Sequence, residues 1–171
     1  MPGFIVECTY CGIGANCLDH VIPVSYKQIG RKGADYSKEL VVPSCDECNN
    51  KLSNFYLPSI AERAEYLIGA YNKKYKKILS APDWTEEEIR ELGPTLRKTI
   101  QGTQNLKEVV LCRLIHLADV ATQVNLEPFD VWDKYSDDIF GRFRGYRNYP
   151  KDKENENEEN DKDDEGRLLK E

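Results

Sequence analysis

Apolar positions divide the chain into a first stretch of short strands and a second, longer helical stretch. In residues 7–53 apolar residues come in brief runs between Cys, Gly and Pro. Residues 18–24 and 39–43 are β-prone, and a polar, glycine-bearing loop at 28–38 separates them, so a hairpin is expected. After Cys48 the period changes. Ile60, Ala64, Leu67, Ile68, Tyr71, Tyr75 and Ile78 recur at three and four, which predicts a helix of about five turns over 59–79. Pro58-Ser59 is its start signal and Ser80-Ala81-Pro82 its stop. Thr85 followed by Glu86, Glu87 and Glu88 reads as an N-cap with acids suited to the positive helix end, and Gly93-Pro94 ends that second helix. Leu106, Val109, Val110, Leu114, Leu117, Ala121 and Val124 predict a third helix over 105–123, its stripe laid against the first.

Residues 126–149 carry Phe129, Trp132, Tyr135, Phe140, Phe143, Tyr146 and Tyr149 among charges and are expected to fold back on the helices. The last twenty-one residues offer only Leu168 and Leu169 to bury and are expected to be disordered. The fold class is therefore α+β. A small core occupies residues 1–56, a helical extension residues 57–149, and an acidic tail residues 150–171.

Length and charge narrow the function classes. A chain of 171 residues, 40% hydrophobic, suits one domain with one modest core. The net charge is -6, but residues 151–171 hold ten acids and five bases; the remaining 20 acids and 19 bases leave residues 1–150 at -1. A near-neutral body argues against gripping nucleic acid by bulk charge and leaves only local basic patches. Neither a spanning apolar run nor a secretion signal is visible, so a cytoplasmic protein without membrane contact is expected.

Six cysteines change the picture more than the charge does. Cys8-Thr9-Tyr10-Cys11 and Cys45-Asp46-Glu47-Cys48 have the spacing of two knuckles that share one tetrahedral zinc through four thiolates. Such a site is closed, so its zinc is structural. Cys17 and Cys112 stand alone and read as small buried hydrophobes.

Between the pairs lies Asp19-His20-Val21-Ile22-Pro23, and Asn49-Asn50-Lys51 follows the second pair directly. Cys-x-x-Cys, Asp-His-x-x-Pro and Val-Pro-Ser-Cys-x-x-Cys-Asn, in this order, resemble the zinc-stapled HNH (ββα-metal) endonucleases of phages and bacteria. The resemblance covers residues 7–54, and a weaker likeness extends to helical extensions of phage-type members. It implies a DNA-cleaving hydrolase in a bacterial or phage-infected cell, with His20 as general base and Asp19 and Asn49 as ligands of a catalytic Mg²⁺ or Mn²⁺. The residue types suit that chemistry. An imidazole titrates near neutral pH, and hard cations take oxygen ligands. Asn50 ranks below Asn49, because the family's ligand follows the second cysteine pair immediately. Strand alternation points Asp19 and His20 to opposite faces, so the pair requires an irregular strand or an ion at the sheet edge. Many members also carry an Asn that orients the histidine, where this chain has Leu40; a backbone carbonyl there offers the imidazole an alternative acceptor.

Arg31, Lys32 and Lys51 lie nearest the proposed centre as phosphate contacts. Lys73-Lys74-Tyr75-Lys76-Lys77 is a second basic stretch. Arg142, Arg144 and Arg147 form a third, interleaved with aromatics that can stack on bases. His116 reads as a packing or surface residue. The rival expectation is an inactive zinc module that binds nucleic acid or a protein. A further one is docking of the helices to a phage packaging or host-defence complex.

Overall fold

The computed structural model describes residues 5–23 and 37–144. The acidic tail, the loop bearing Arg31 and Lys32, and Arg147 lie outside the described residues, as does the side chain of Arg144. The protein is α+β: mostly helical, with one two-stranded sheet. In chain order the elements are β1 (Cys17–His20), β2 (Val41–Ser44), α1 (Asp46–Leu52), α2 (Ile60–Lys74), α3 (Lys76–Leu79), α4 (Glu86–Glu91), α5 (Pro94–Thr122), α6 (Pro128–Trp132) and α7 (Asp137–Arg144).

The expected hairpin forms with β1 and β2 antiparallel, pairing Cys17 with Ser44, Leu18 with Pro43, Asp19 with Val42 and His20 with Val41. Opposed residues share a face, so the register sorts the sheet into two sides. Val42, beside Asp19, joins a core built from the four paired cysteines, Ile60, Leu67 and Tyr71 of α2, Leu117 and Val120 of α5, and Val131. Val41 and Leu18 face a second cluster with Trp132 and Phe140. The Trp132 indole donates to the Val41 carbonyl at 2.8 Å and meets the Phe140 ring edge-on at 4.6 Å. Trp132, Tyr135, Phe140 and Phe143 thus cover the hairpin's far side instead of returning to the helical pack, while Phe129 is exposed. Among the described residues of this segment, Leu126 and Val131 reach the first core. That core draws residues from both sides of residue 56.

Helix ends follow local chemistry. Ser59 and Glu62 form a reciprocal capping box at α2, and Thr85 and Glu88 form another at α4. The single helix expected over 59–79 is broken at Tyr75 into α2 and α3. The third helix is longer than its apolar stripe, starting at Pro94 with the proline at its first turn. Its first half is held by polar contacts. Arg97 donates to the carbonyls of Ile89, Arg90 and Leu92 at the end of α4, and Gln104 and Lys107 donate to those of Trp84 and Ala81. Its buried face is Val110, Arg113, Leu117 and Val120, whereas Leu106, Val109 and Val124 of the expected stripe are exposed. Among the described residues no helix is long and apolar enough to cross a membrane.

Candidate metal centre

The first knuckle is a tight reversal after residue 7. The Cys8 amide donates to the Ile13 carbonyl, the Gly12 amide donates to the Cys8 carbonyl, and a β-bridge pairs Glu7 with Gly14. Gly12 has φ +73°, the left-handed conformation that suits glycine, and a Cβ there would lie 3.0 Å from Nδ1 of His116 on α5. The second knuckle is the start of α1, where Cys45 is the N-cap and its sulphur accepts from the Cys48 amide at 3.4 Å. The Thr9 amide donates to the Pro43 carbonyl and fastens one knuckle to the strand that leads into the other.

This arrangement brings the Sγ atoms of Cys8, Cys11, Cys45 and Cys48 within 4.8 Å of one another, all buried. Cys11 and Cys45 are 3.7 Å apart. Tetrahedral zinc with Zn–S near 2.3 Å requires sulphur–sulphur edges of about 3.8 Å, whereas a disulfide requires about 2 Å. The donor set therefore fits a closed tetrathiolate such as zinc occupies. Hydrogen bonding with Cys45 pulls the Cys11 thiol below its ordinary value, while hydrogen bonding with Cys11 pushes Cys8 and Cys48 above theirs.

Helices remote in sequence close over the sulphurs. Tyr71 of α2 places its hydroxyl 3.3 Å from Cys48 Sγ. Arg113 of α5 directs one amino group at Cys11 and Cys45, 3.5 and 3.8 Å away, and donates from the other to Glu47 at 2.7 Å. The Arg113 guanidinium also donates to the Tyr71 hydroxyl. Burial alone raises Glu47, but hydrogen bonds from Lys74, Arg113 and Tyr75 outweigh it and leave the carboxyl below its usual range. The sequence placed Tyr71 in an apolar stripe with no role at the sulphurs and gave Arg113 no role at all. The available signal was a charged residue in phase with an apolar stripe.

The residues expected to do chemistry are placed as follows. Asp19 is 2% exposed and fully engaged. Arg63 of α2 grips both its oxygens at 2.8 Å, and Tyr10 donates to it at 2.5 Å. Arg63 is itself 0% exposed and also donates to the Val21 carbonyl at 2.9 Å. Burial pushes the Asp19 carboxyl up, and the Arg63 charge and the Tyr10 hydroxyl pull against it. As it stands, Asp19 does not fit as the ligand of a second cation, since its oxygens already serve a guanidinium and a phenol. His20 is half-buried on the opposite side of the strand, paired with Val41. Asn49 turns toward β1, its amide 3.4 Å from the Leu18 carbonyl and 3.5 Å from Cys17 Sγ. Asn49 and Asp19 therefore approach one sheet face and His20 the other. The Val21 amide donates to the Leu40 carbonyl at 3.0 Å, so that acceptor already has one donor.

Cys17 is buried, as expected for a small hydrophobe, and its thiol donates to the Ser44 carbonyl. Cys112 is exposed, because its position on α5 falls outside the buried face, which corrects the expectation for that residue. His116 packs on Gly12 as a packing residue would. Lys51 is half-buried and Arg142 exposed. Lys74 of the second basic stretch is paired with Glu47. Among the described residues the four cysteines form the only group of His, Cys, Asp and Glu close enough to hold a metal ion. No protein-family model, no curated protein and no solved structure matches this chain.

Proposed function

We propose that the chain is a zinc-stapled endonuclease of the ββα-metal type that hydrolyses DNA phosphodiester bonds with Mg²⁺ or Mn²⁺ as the catalytic ion. The observation that carries this reading is the layout of residues 7–52. Two cysteine knuckles clasp a short antiparallel hairpin to the helix after it, with His20 ending β1 and Asn49 turned toward that strand. In this reading His20 accepts the proton of the attacking water, as a group that titrates near neutral pH does best. A divalent ion, when bound, supplies charge neutralisation at the phosphate. The requirement for it comes from the resemblance, and Asp19, held by Arg63 and Tyr10, takes no part in holding it. Lys51 and Arg142 are cationic groups on the described surface suited to phosphate contact, together with Arg31, Lys32, Arg144 and Arg147 from the sequence.

One observation favours a second reading, in which the same module binds nucleic acid or protein without cutting it. The Asp19 carboxylate is sealed by Arg63 and Tyr10 and separated from His20 by the strand.

Incubating the full chain with supercoiled plasmid and Mg²⁺ or Mn²⁺, beside His20→Ala and a sample with chelator added, separates the two. The nuclease reading expects nicked or linear product from wild type, and a loss of at least about 100-fold in His20→Ala, the lower range for a general base. Uncut plasmid, or cleavage equal in His20→Ala, leaves the non-catalytic reading.

A further inference from the structure

We propose that Arg113 is the counter-cation of the metal-loaded tetrathiolate, so that metal binding and the seating of α5 over the knuckles are one coupled equilibrium. The inference concerns the cysteine centre alone and stands whether or not the chain cleaves DNA.

Four thiolates around one divalent ion carry a formal charge of -2 in a site from which water is excluded. Buried charge is tolerated only where it is paired and hydrogen-bonded. Arg113 is the cation whose donors reach those sulphurs, and its own position is tightly specified. It is 6% exposed, sits 4.4 Å from the centre of the Tyr71 ring, and is paired with Glu47, the residue just before ligand Cys48. Its Nε is buried without a partner, so both amino groups, aimed at sulphur, Tyr71 and Glu47, fix the guanidinium. A guanidinium presents its donors in a rigid fork, which lets one side chain span two sulphurs and a carboxylate.

The same stretch of α5 approaches the centre at a second point. His116 lies on Gly12 directly after ligand Cys11, close enough that any side chain at Gly12 would displace it. Glu47 is held by three side chains, Arg113 of α5, Lys74 at the end of α2, and Tyr75 after it. Helix α5 therefore rests on both knuckles through residues in direct contact with the ligand loops. Groups that hydrogen-bond metal ligands commonly change metal affinity by roughly 10- to 100-fold. Linkage makes the effect reciprocal: whatever α5 contributes to metal binding, the metal returns to α5.

The test uses the full chain, zinc and cobalt(II), with variants Arg113→Met, Arg113→Lys and Leu117→Ala. Leu117 is buried on the same helix face and is not among the groups that bond the sulphurs, so its loss loosens α5 by packing alone. Zinc affinity is measured by competition with a chromophoric chelator, and the sulphur-to-cobalt charge-transfer band reads the electron density at the thiolates. The expected result for Arg113→Met is a loss of about 10-fold or more in zinc affinity, beyond that of Leu117→Ala, with a displaced band. Arg113→Lys recovers part of the affinity, and Leu117→Ala leaves the band in place. Zinc affinity within twofold of wild type and an unmoved band in Arg113→Met would overturn the proposal. If Arg113→Met yields no folded chain at saturating zinc, Arg113→Lys decides: a displaced band with weakened affinity supports it, and wild-type values of both overturn it.

Discussion

Replacing Arg63 by Met is the sharpest perturbation of the packing between β1 and α2. Arg63 is fully enclosed and donates to Asp19, to the Tyr10 hydroxyl and to the Val21 carbonyl. The substitution keeps most of the side-chain volume but leaves the Asp19 carboxylate buried with only Tyr10 as a donor. Breaking a buried ion pair by removing one partner costs about 3–5 kcal/mol, against a total stability on the order of 5–15 kcal/mol. At roughly 2–4 °C per kcal/mol for a chain of this size, the melting temperature should fall by about 10 °C. The double variant Asp19→Asn with Arg63→Met removes both charges. Its Asn oxygen still accepts from Tyr10, and no buried charge is left without a counter-charge. The double variant should therefore regain about half the loss. Urea unfolding at saturating zinc, analysed by linear extrapolation, measures all three proteins. A loss below about 1 kcal/mol in the single variant, or a double variant less stable than the single one, refutes the reasoning.

Two further outcomes follow from the described packing. Cys45→Ser should abolish tight zinc retention in native mass spectrometry and lower thermal stability, because it removes one of the four clustered thiols while the serine hydroxyl can still cap α1; full zinc retention contradicts the ligand assignment. Trp132→Ala should cost about 3–5 kcal/mol by the usual measure for a large buried ring, since it also orphans the Val41 carbonyl. Urea unfolding with a change below about 1 kcal/mol would show that the second cluster contributes little.

The cysteine spacing made the four-cysteine cluster legible, because two residues between sulphurs leave few other uses for a knuckle. The capping signals at Ser59 and Thr85 were legible for a similar reason: each acts within one turn. The first half of α5 was not, since residues 95–105 carry no apolar stripe and depend on polar contacts with α4 and the segment before it. The aromatic run from Phe129 to Phe143 announced burial, but the helical pack expected beneath it is not the surface that Trp132 and Phe140 cover, which is the hairpin. Asp19 shows the same limit at the candidate site. Its neighbours in sequence suggested a metal ligand, but its partner is Arg63, 44 residues later. An arginine inside an apolar stripe, at both 63 and 113, was the overlooked sign that something anionic lay beneath.

The hairpin's two flanks are closed by parts of the chain that leave the ribosome at very different times. All four thiols are available once Cys48 has emerged, so an ion can be captured early. Arg113, and then Trp132 and Phe140, arrive only near the end of the described chain. A nascent chain stalled before them would carry a loaded but uncovered cluster beside a half-dressed ribbon of two four-residue strands. Completion of the N-terminal third thus waits on the later helices, which makes synthesis through Phe140 a precondition for a sealed hairpin.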